Sequence, residues 1–167
     1  MENFATLRLT AEKLAPRHLD DLVALHLDPD VSLYLGGVRS AEVTKAYLDT
    51  NLAHWSEHGF GLWVLRTQDG AFVGRAGIRY TLLEGAPELE IAYALARNQW
   101  GLGFATEIAA ALVDLWLARP TAPSLAGIVS IGNAASAGVL RKVGFSLERA
   151  AVFHGEDVSV FRRVRPG

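Results

Sequence analysis

The chain has 167 residues, 50% hydrophobic and 20% charged, a size and composition that predict one packed domain needing no staples. Sixteen Lys+Arg against 18 Asp+Glu leave a formal net charge of -2, too balanced for a dominant nucleic-acid or membrane-surface role. The absence of Cys excludes disulfides, thiolate zinc sites, Fe–S clusters and thiol nucleophiles.

No apolar run approaches the roughly 18 residues that suggest a membrane span. The opening Met1-Glu2-Asn3-Phe4 lacks the basic and apolar segments of a secretion signal, so a cytoplasmic protein is expected. No repeat or long linker divides residues 1–167, which are read as a single domain.

In chain order, Phe4 to Thr10 alternates as a first strand. Pro16 opens a helix with Leu19, Leu22, Val23 and His26 along one face, and Asp28-Pro29-Asp30 stops it. After the Gly36-Gly37 turn, Ser40 caps a second helix, whose Leu48, Leu52 and Trp55 share a face until Gly59. Leu62 to Arg66 and Phe72 to Thr81 read as strands joined by a hairpin at Gln68-Asp69-Gly70. Glu88 to Leu95 alternates, with Leu89, Ile91, Tyr93 and Leu95 on one side and Glu88, Glu90, Ala92 and Ala94 on the other.

From Ala105 the period becomes helical: Ala105, Ile108, Ala109, Leu112, Leu115 and Trp116 form a broad apolar stripe, ended by Pro120. Leu125 to Ile131 is a buried strand, Asn133 caps a helix closed by Gly144, and a hairpin turns at His154-Gly155-Glu156-Asp157. The order β-α-α-β-β-β-α-β-α-β-β predicts a mixed α/β or α+β layer fold rather than a doubly wound one.

The join between the alternating strand and the long helix carries Trp100-Gly101-Leu102-Gly103-Phe104-Ala105. Two glycines there let the backbone approach a ligand closely. The helix N-terminus adds unpaired amide donors and roughly half a positive charge. The combination suits an anion, above all a phosphate. A simple tight turn into the helix would use the same residues. A second segment, Asn133-Ala134-Ala135-Ser136, follows another strand and ends in Lys142-Val143-Gly144-Phe145. Within it Gly138 is unusual, because a mid-helix Gly costs about 1 kcal/mol against Ala. Close approach of a ligand or a strand would explain it.

This pair of segments, in this order, resembles the GNAT N-acetyltransferase superfamily. The superfamily's acetyl-CoA loop reads Gln/Arg-x-x-Gly-x-Gly/Ala, and Trp100 departs from its first position. The run from Trp100 to Glu107 is similar to the form used by the RimJ/RimL-like branch, the ribosomal-protein N-terminal acetyltransferases. Asn133-x-x-Ser136 with Lys142-x-Gly144-Phe145 is similar to that branch's second motif. Leu7-Arg8-Leu9, Asp28-Pro29-Asp30-Val31 and Val73-Gly74-x-x-Gly77 extend the likeness along essentially the whole chain.

The resemblance implies a mostly antiparallel twisted central sheet, splayed at an acetyl-CoA site and flanked by helices. It also implies direct acetyl transfer from acetyl-CoA to an amine, either a protein N-terminal α-amine or a small molecule. Backbone groups of Tyr93, Ala94 and Leu95 would pair with pantetheine like an added strand. Those of Trp100, Gly101, Leu102, Gly103, Phe104 and Ala105 would form the pyrophosphate loop. The Asn133 side chain would meet pantetheine, and the Ser136 hydroxyl the departing thiolate. The expected state is a monomer or homodimer without nucleic-acid or membrane partners.

An amine attacks only when neutral, so the reaction needs a base. Glu88 and Glu90, two residues apart, lie on one face of their strand about 7 Å from each other. Glu90 matches the carboxylate that RimL-like enzymes offer here and is the candidate base. Solvated carboxylates on an exposed sheet face are the competing reading for both. A non-catalytic acyl-CoA sensor or partner-binding domain would keep the loop and Asn133 but need no base.

Other patterns are weaker. His54-Trp55-Ser56-Glu57-His58 has the spacing of an inverted zinc-peptidase motif, but no separate downstream feature supplies a third ligand. Gly101-Leu102-Gly103 lacks the third glycine of a dinucleotide fingerprint, that position being Thr106. His26 reads as a half-buried packing residue, and Arg162, Arg163 and Arg165 as a solvated basic tail.

Overall fold

The computed structural model describes residues 2–120 and 122–167; Met1, part of the opening segment read above, lies outside them. The chain forms two compact units: the first runs to Gly77 and includes Tyr93–Phe104, and the second comprises Ile78–Ala92 and Ala105–Gly167.

In the first unit the expected opening strand is two strands, Phe4–Ala5 (β1) and Leu9–Lys13 (β2). The break is a tight turn: the Thr6 amide donates to the Leu9 carbonyl at 2.8 Å, and the Leu9 amide donates to Thr6 Oγ1 at 3.2 Å. Pro16–His18 forms one turn of 3-10 helix before α1 (Leu19–Leu27). Asp28 then caps a four-residue helix, α2 (Pro29–Ser32), where the sequence reading has only a stop. Its carboxylate accepts the Asp30 amide, and Pro29 needs no donor at the first helical position.

Ser40 caps α3 (Ala41–His58) through the Val43 amide at 3.1 Å, and Gly59 ends it in the left-handed region, as its sequence predicts. α3 buries Leu48 and Trp55, whose indole donates to the Leu62 carbonyl at 2.8 Å. β3 (Leu62–Thr67) and β4 (Phe72–Leu83) form the expected hairpin. β1 to β4 pair antiparallel in succession through Gly77. A Cβ on Gly77 would lie 2.1 Å from the Gly61 carbonyl oxygen, so this β3–β4 contact accepts glycine alone.

His26 corrects the half-buried reading. It is fully buried, with Nδ1 against Thr44 Oγ1 and Nε2 accepting from the buried Arg75 Nε, both at 3.0 Å. Because Arg75 can only donate, His26 Nε2 is the acceptor and Nδ1 carries the proton.

β5 (Ala86–Leu95), like β4, contributes residues to both units. In the second unit follow α4 (from Phe104 to Leu117), β6 (Ser124–Ser130), α5 (Ala134–Lys142), β7 (Ser146–Phe153) and β8 (Glu156–Val164). The parallel pair is β5–β6, at Glu90↔Ala126 and Ile91↔Gly127, whereas β6–β8 and β8–β7 are antiparallel. Strand order is β1-β2-β3-β4-β5-β6-β8-β7, a mostly antiparallel mixed sheet of the expected α+β class.

α4 buries Ile108, Ala109, Leu112 and Trp116 as its stripe predicts, with Val113 buried and Leu115 only half-buried. Each full burial of a Leu- or Ile-sized side chain stabilises the fold by roughly 1.5–3 kcal/mol.

The C-terminal arginines are not a solvated tail. Arg163 donates to the Val143 carbonyl at the end of α5 at 2.7 Å. Arg165 donates to the Trp116, Leu117 and Arg119 carbonyls and stacks 4.7 Å over the Trp116 ring. A cation at a helix C-terminus satisfies orphan carbonyls and complements the dipole, which is why a basic run on β8 serves structure.

Candidate functional site

The glycine loop has the backbone that its sequence demands. After a turn of 3-10 helix (Arg97–Gln99), Gly101 and Gly103 have φ values of 75° and 82°, in the left-handed region. A Cβ on Gly101 would meet nothing within 4 Å, so the space beside the backbone is open. α4 begins immediately afterwards, leaving its first amides without intrahelical acceptors. Open backbone and the leading amides of a helix together fit an anion such as a pyrophosphate.

Three side chains of the same unit hold this loop. The Trp100 indole donates to the Leu95 carbonyl at 2.9 Å, joining the loop to the end of β5. Arg97 is ion-paired with Asp30 on α2. Arg8 donates to the Leu102 carbonyl at 2.7 Å, and its guanidinium lies 4.5 Å from the Phe104 ring centroid. Arg8 stands 94 positions from Leu102, so no sequence pattern links them. Only its place in Leu7-Arg8-Leu9 singled it out.

On β5, Glu88 and Glu90 share a face as their spacing predicts, but neither is a solvated carboxylate. Glu90 is buried, with Oε1 accepting from Arg79 Nε at 2.9 Å, while Oε2 has no hydrogen bond among the described residues. Glu88 is gripped at both oxygens by Arg162, at 3.0 and 2.7 Å. Arg162 also bonds Glu148 and Ser124 Oγ. Hydrogen bonds to Glu88 and Glu148 raise the Arg162 pKa above its ordinary value, and the Arg162 bond lowers that of Glu148. The alternation of β5 fails as a guide to burial because Leu89, Glu90 and Ile91 are all covered.

Asn133 is the N-cap of α5, its Oδ1 accepting the Ser136 amide at 3.2 Å. Cap and hydroxyl therefore stand together in the first turn, with Asn133 Nδ2 uncommitted among the described residues. A Cβ on Gly138 would meet nothing within 4 Å, so no strand approaches it. His54 Nδ1 bonds the Phe60 carbonyl at 2.8 Å and its ring lies 4.5 Å from that of His58. Among the described residues no three His, Cys, Asp or Glu side chains form a cluster able to hold a metal ion.

A family model described as Acetyltransferase (GNAT) domain matches residues 8–146, which include the loop, both β5 carboxylates and the α5 cap. Among curated proteins, an uncharacterized protein YkkB of Bacillus subtilis (strain 168) is 29% identical over 137 residues, covering 81% of this chain and 80% of its own. Among solved structures, an acetyltransferase from Agrobacterium tumefaciens str. C58 superimposes with a TM-score of 0.86 at 28% identity, over 99% of this chain and 95% of that one. A ribosomal L7/L12 α-N-protein acetyltransferase, RimL, solved in complex with coenzyme A, has the same fold, with a TM-score of 0.80 at 20% identity over 98% of both chains.

Proposed function

Because the chain belongs to the GNAT acetyltransferase family, whose members use acetyl-CoA, we propose that it transfers acetyl directly to a primary amine. The acceptor is a protein N-terminal α-amine or a small amine, as in the RimJ/RimL-like branch, and residues 1–167 act as one cytoplasmic domain. The observation that carries this reading is the pair of left-handed glycines opening onto α4.

In this reading the amides of Gly101 to Ala105 hold the pyrophosphate, and backbone groups of Tyr93, Ala94 and Leu95 hold pantetheine. Trp100 fixes the approach by occupying the Leu95 carbonyl. Asn133 Nδ2 bonds the pantetheine arm. Oε2 of Glu90 takes the ammonium proton through a water while Arg79 keeps the carboxylate in place. The amine attacks the thioester carbon, the carbon–sulfur bond breaks, and Ser136 donates its proton to the departing thiolate, recovering one through water from the nitrogen as that becomes the amide. Most of the rate comes from holding amine and thioester together.

The test is thiol release from acetyl-CoA across a panel of N-terminal peptides, polyamines and aminoglycosides. Amine-dependent release with acetylated product by mass spectrometry supports the reading. Coenzyme A binding without turnover on any amine refutes it in favour of an acyl-CoA sensor.

A further inference from the structure

We infer that Arg8 is a positioning residue for the cofactor loop, setting acetyl-CoA affinity by holding the Leu102 peptide in one orientation. This rests on the assignment of the Gly101–Ala105 amides to the pyrophosphate.

The turn that carries Arg8 is rigid by its own bonds. Thr6 and Leu9 close it from both sides, and Gln68 Nε2 donates to the Leu7 carbonyl at 2.8 Å. The turn is anchored by Leu9, which is buried in the core, while Leu7 at its tip is 85% exposed. Its neighbour Arg8 instead spends its side chain on the loop. One terminal nitrogen bonds Leu102 O, the other lies 3.3 Å from where a Gly103 Cβ would be, and the guanidinium plane covers Phe104.

Gly101 and Gly103 flank Leu102 with left-handed backbones, a segment that without restraint has many accessible conformations. An anion cradle works only if amides face the ligand and carbonyls do not. A carbonyl turned toward a pyrophosphate would repel it. Arg8 removes that possibility at Leu102 by making its carbonyl the acceptor of a charge-assisted bond. It also places a fixed cation beside the loop, and stacking on Phe104 orders the first helical residue, where donors begin. Lysine cannot reproduce this, since it lacks both the fork and the plane.

The experiment compares wild type, Arg8→Gln and Arg8→Lys with two acyl donors: acetyl-CoA, and S-acetyl-pantetheine, which has no pyrophosphate. Arg8→Gln should raise KM for acetyl-CoA roughly tenfold or more, the worth of one charge-assisted bond. Its kcat should stay within about twofold, its KM for S-acetyl-pantetheine should not move, and Arg8→Lys should recover only a small part. An equal loss on both donors, a fall in kcat alone, or full rescue by lysine would overturn the inference. If wild type itself does not prefer acetyl-CoA, the loop assignment fails; if it does and Arg8→Gln keeps the preference, only the role of Arg8 fails.

Discussion

Arg162 on β8 reaches both carboxylate oxygens of Glu88 on β5, at 3.0 and 2.7 Å, and so separates two carboxylates that look equivalent in sequence. A carboxylate bonded at both oxygens and shared with the Glu148 partner is poorly placed to accept a substrate proton. Glu90, two residues on, is bonded at one oxygen only among the described residues.

Glu90→Gln should therefore lower kcat by about 100-fold or more, with coenzyme A affinity nearly unchanged. The deficit should be greatest at mildly acidic pH, where the acceptor is ammonium, and shrink as pH approaches the pKa of the amine. Glu88→Gln should change kcat far less. A pH–rate profile identical in wild type and Glu90→Gln would remove Glu90 as base.

Arg162→Ala should destabilise the fold by about 1–3 kcal/mol, because it strands the partly buried carboxylate of Glu88. Arg162→Lys should recover little, since one ammonium cannot serve both carboxylates in fork geometry. Urea unfolding measures both, and a loss below about 0.5 kcal/mol would show the network to be ordinary surface pairing.

Ser136 and Asn133 can be told apart. The cap uses the Ser136 amide rather than its hydroxyl, so Ser136→Ala keeps that bond, and a fall in kcat with unchanged stability and coenzyme A affinity reports on thiolate protonation. Asn133→Ala removes the acceptor and should cost about 1 kcal/mol of stability as well as coenzyme A affinity. Thermal unfolding alongside kinetics reads the split.

Two glycines should respond oppositely to alanine. Gly77→Ala puts a Cβ 2.1 Å from the Gly61 carbonyl oxygen, so β3 and β4 must part at a cost above about 2 kcal/mol. Gly101→Ala meets no atom and carries only the left-handed penalty of about 1–2 kcal/mol, yet it should weaken coenzyme A binding by filling the open side of the loop. Calorimetric titration against unfolding free energy separates them.

His18 gives the fold an acid limb. It is buried, its Nε2 has no hydrogen-bond partner among the described residues, and burial, then the neighbouring Arg17, lowers its pKa below the ordinary 6.5. The unfolded chain thus binds the proton more tightly, so stability rises with pH across the window between the two values. The contribution is complete above about 6.5 and is lost as pH falls from there through the folded value. His18→Gln should flatten the fall in melting temperature as pH drops below about 6.5; an unaltered slope would assign the limb to other groups.

Local chemistry was legible. Ser40, Gly59 and Asn133 act through bonds spanning a few residues, so cap and stop signals sufficed to bound α3 and start α5. The order of the main elements followed from their periods. The splitting of the first strand and the short α2 were not legible, because the Thr6 turn and the Asp28 cap resemble ordinary strand and stop signals. The alternation of β5 placed Glu88 and Glu90 on one face but could not say that this face is covered at Glu90.

By itself, then, the sequence determined the class of fold, the loop able to cradle an anion and the two carboxylates from which a base could come. Backbone conformation at Gly101 and Gly103 is a property of a few adjacent residues, so composition reveals it. Only the tertiary structure decided that Glu88 is tied to Arg162, that Glu90 is buried with one oxygen on Arg79, and that Arg8 holds the Leu102 carbonyl. The Arg162 and Arg8 bonds join residues 74 and 94 positions apart, and even the nearer Arg79–Glu90 pair depends on which side chains the folded strands expose. An arginine's partner is set by where the strands bring it, and the one-dimensional pattern carries no record of that distance.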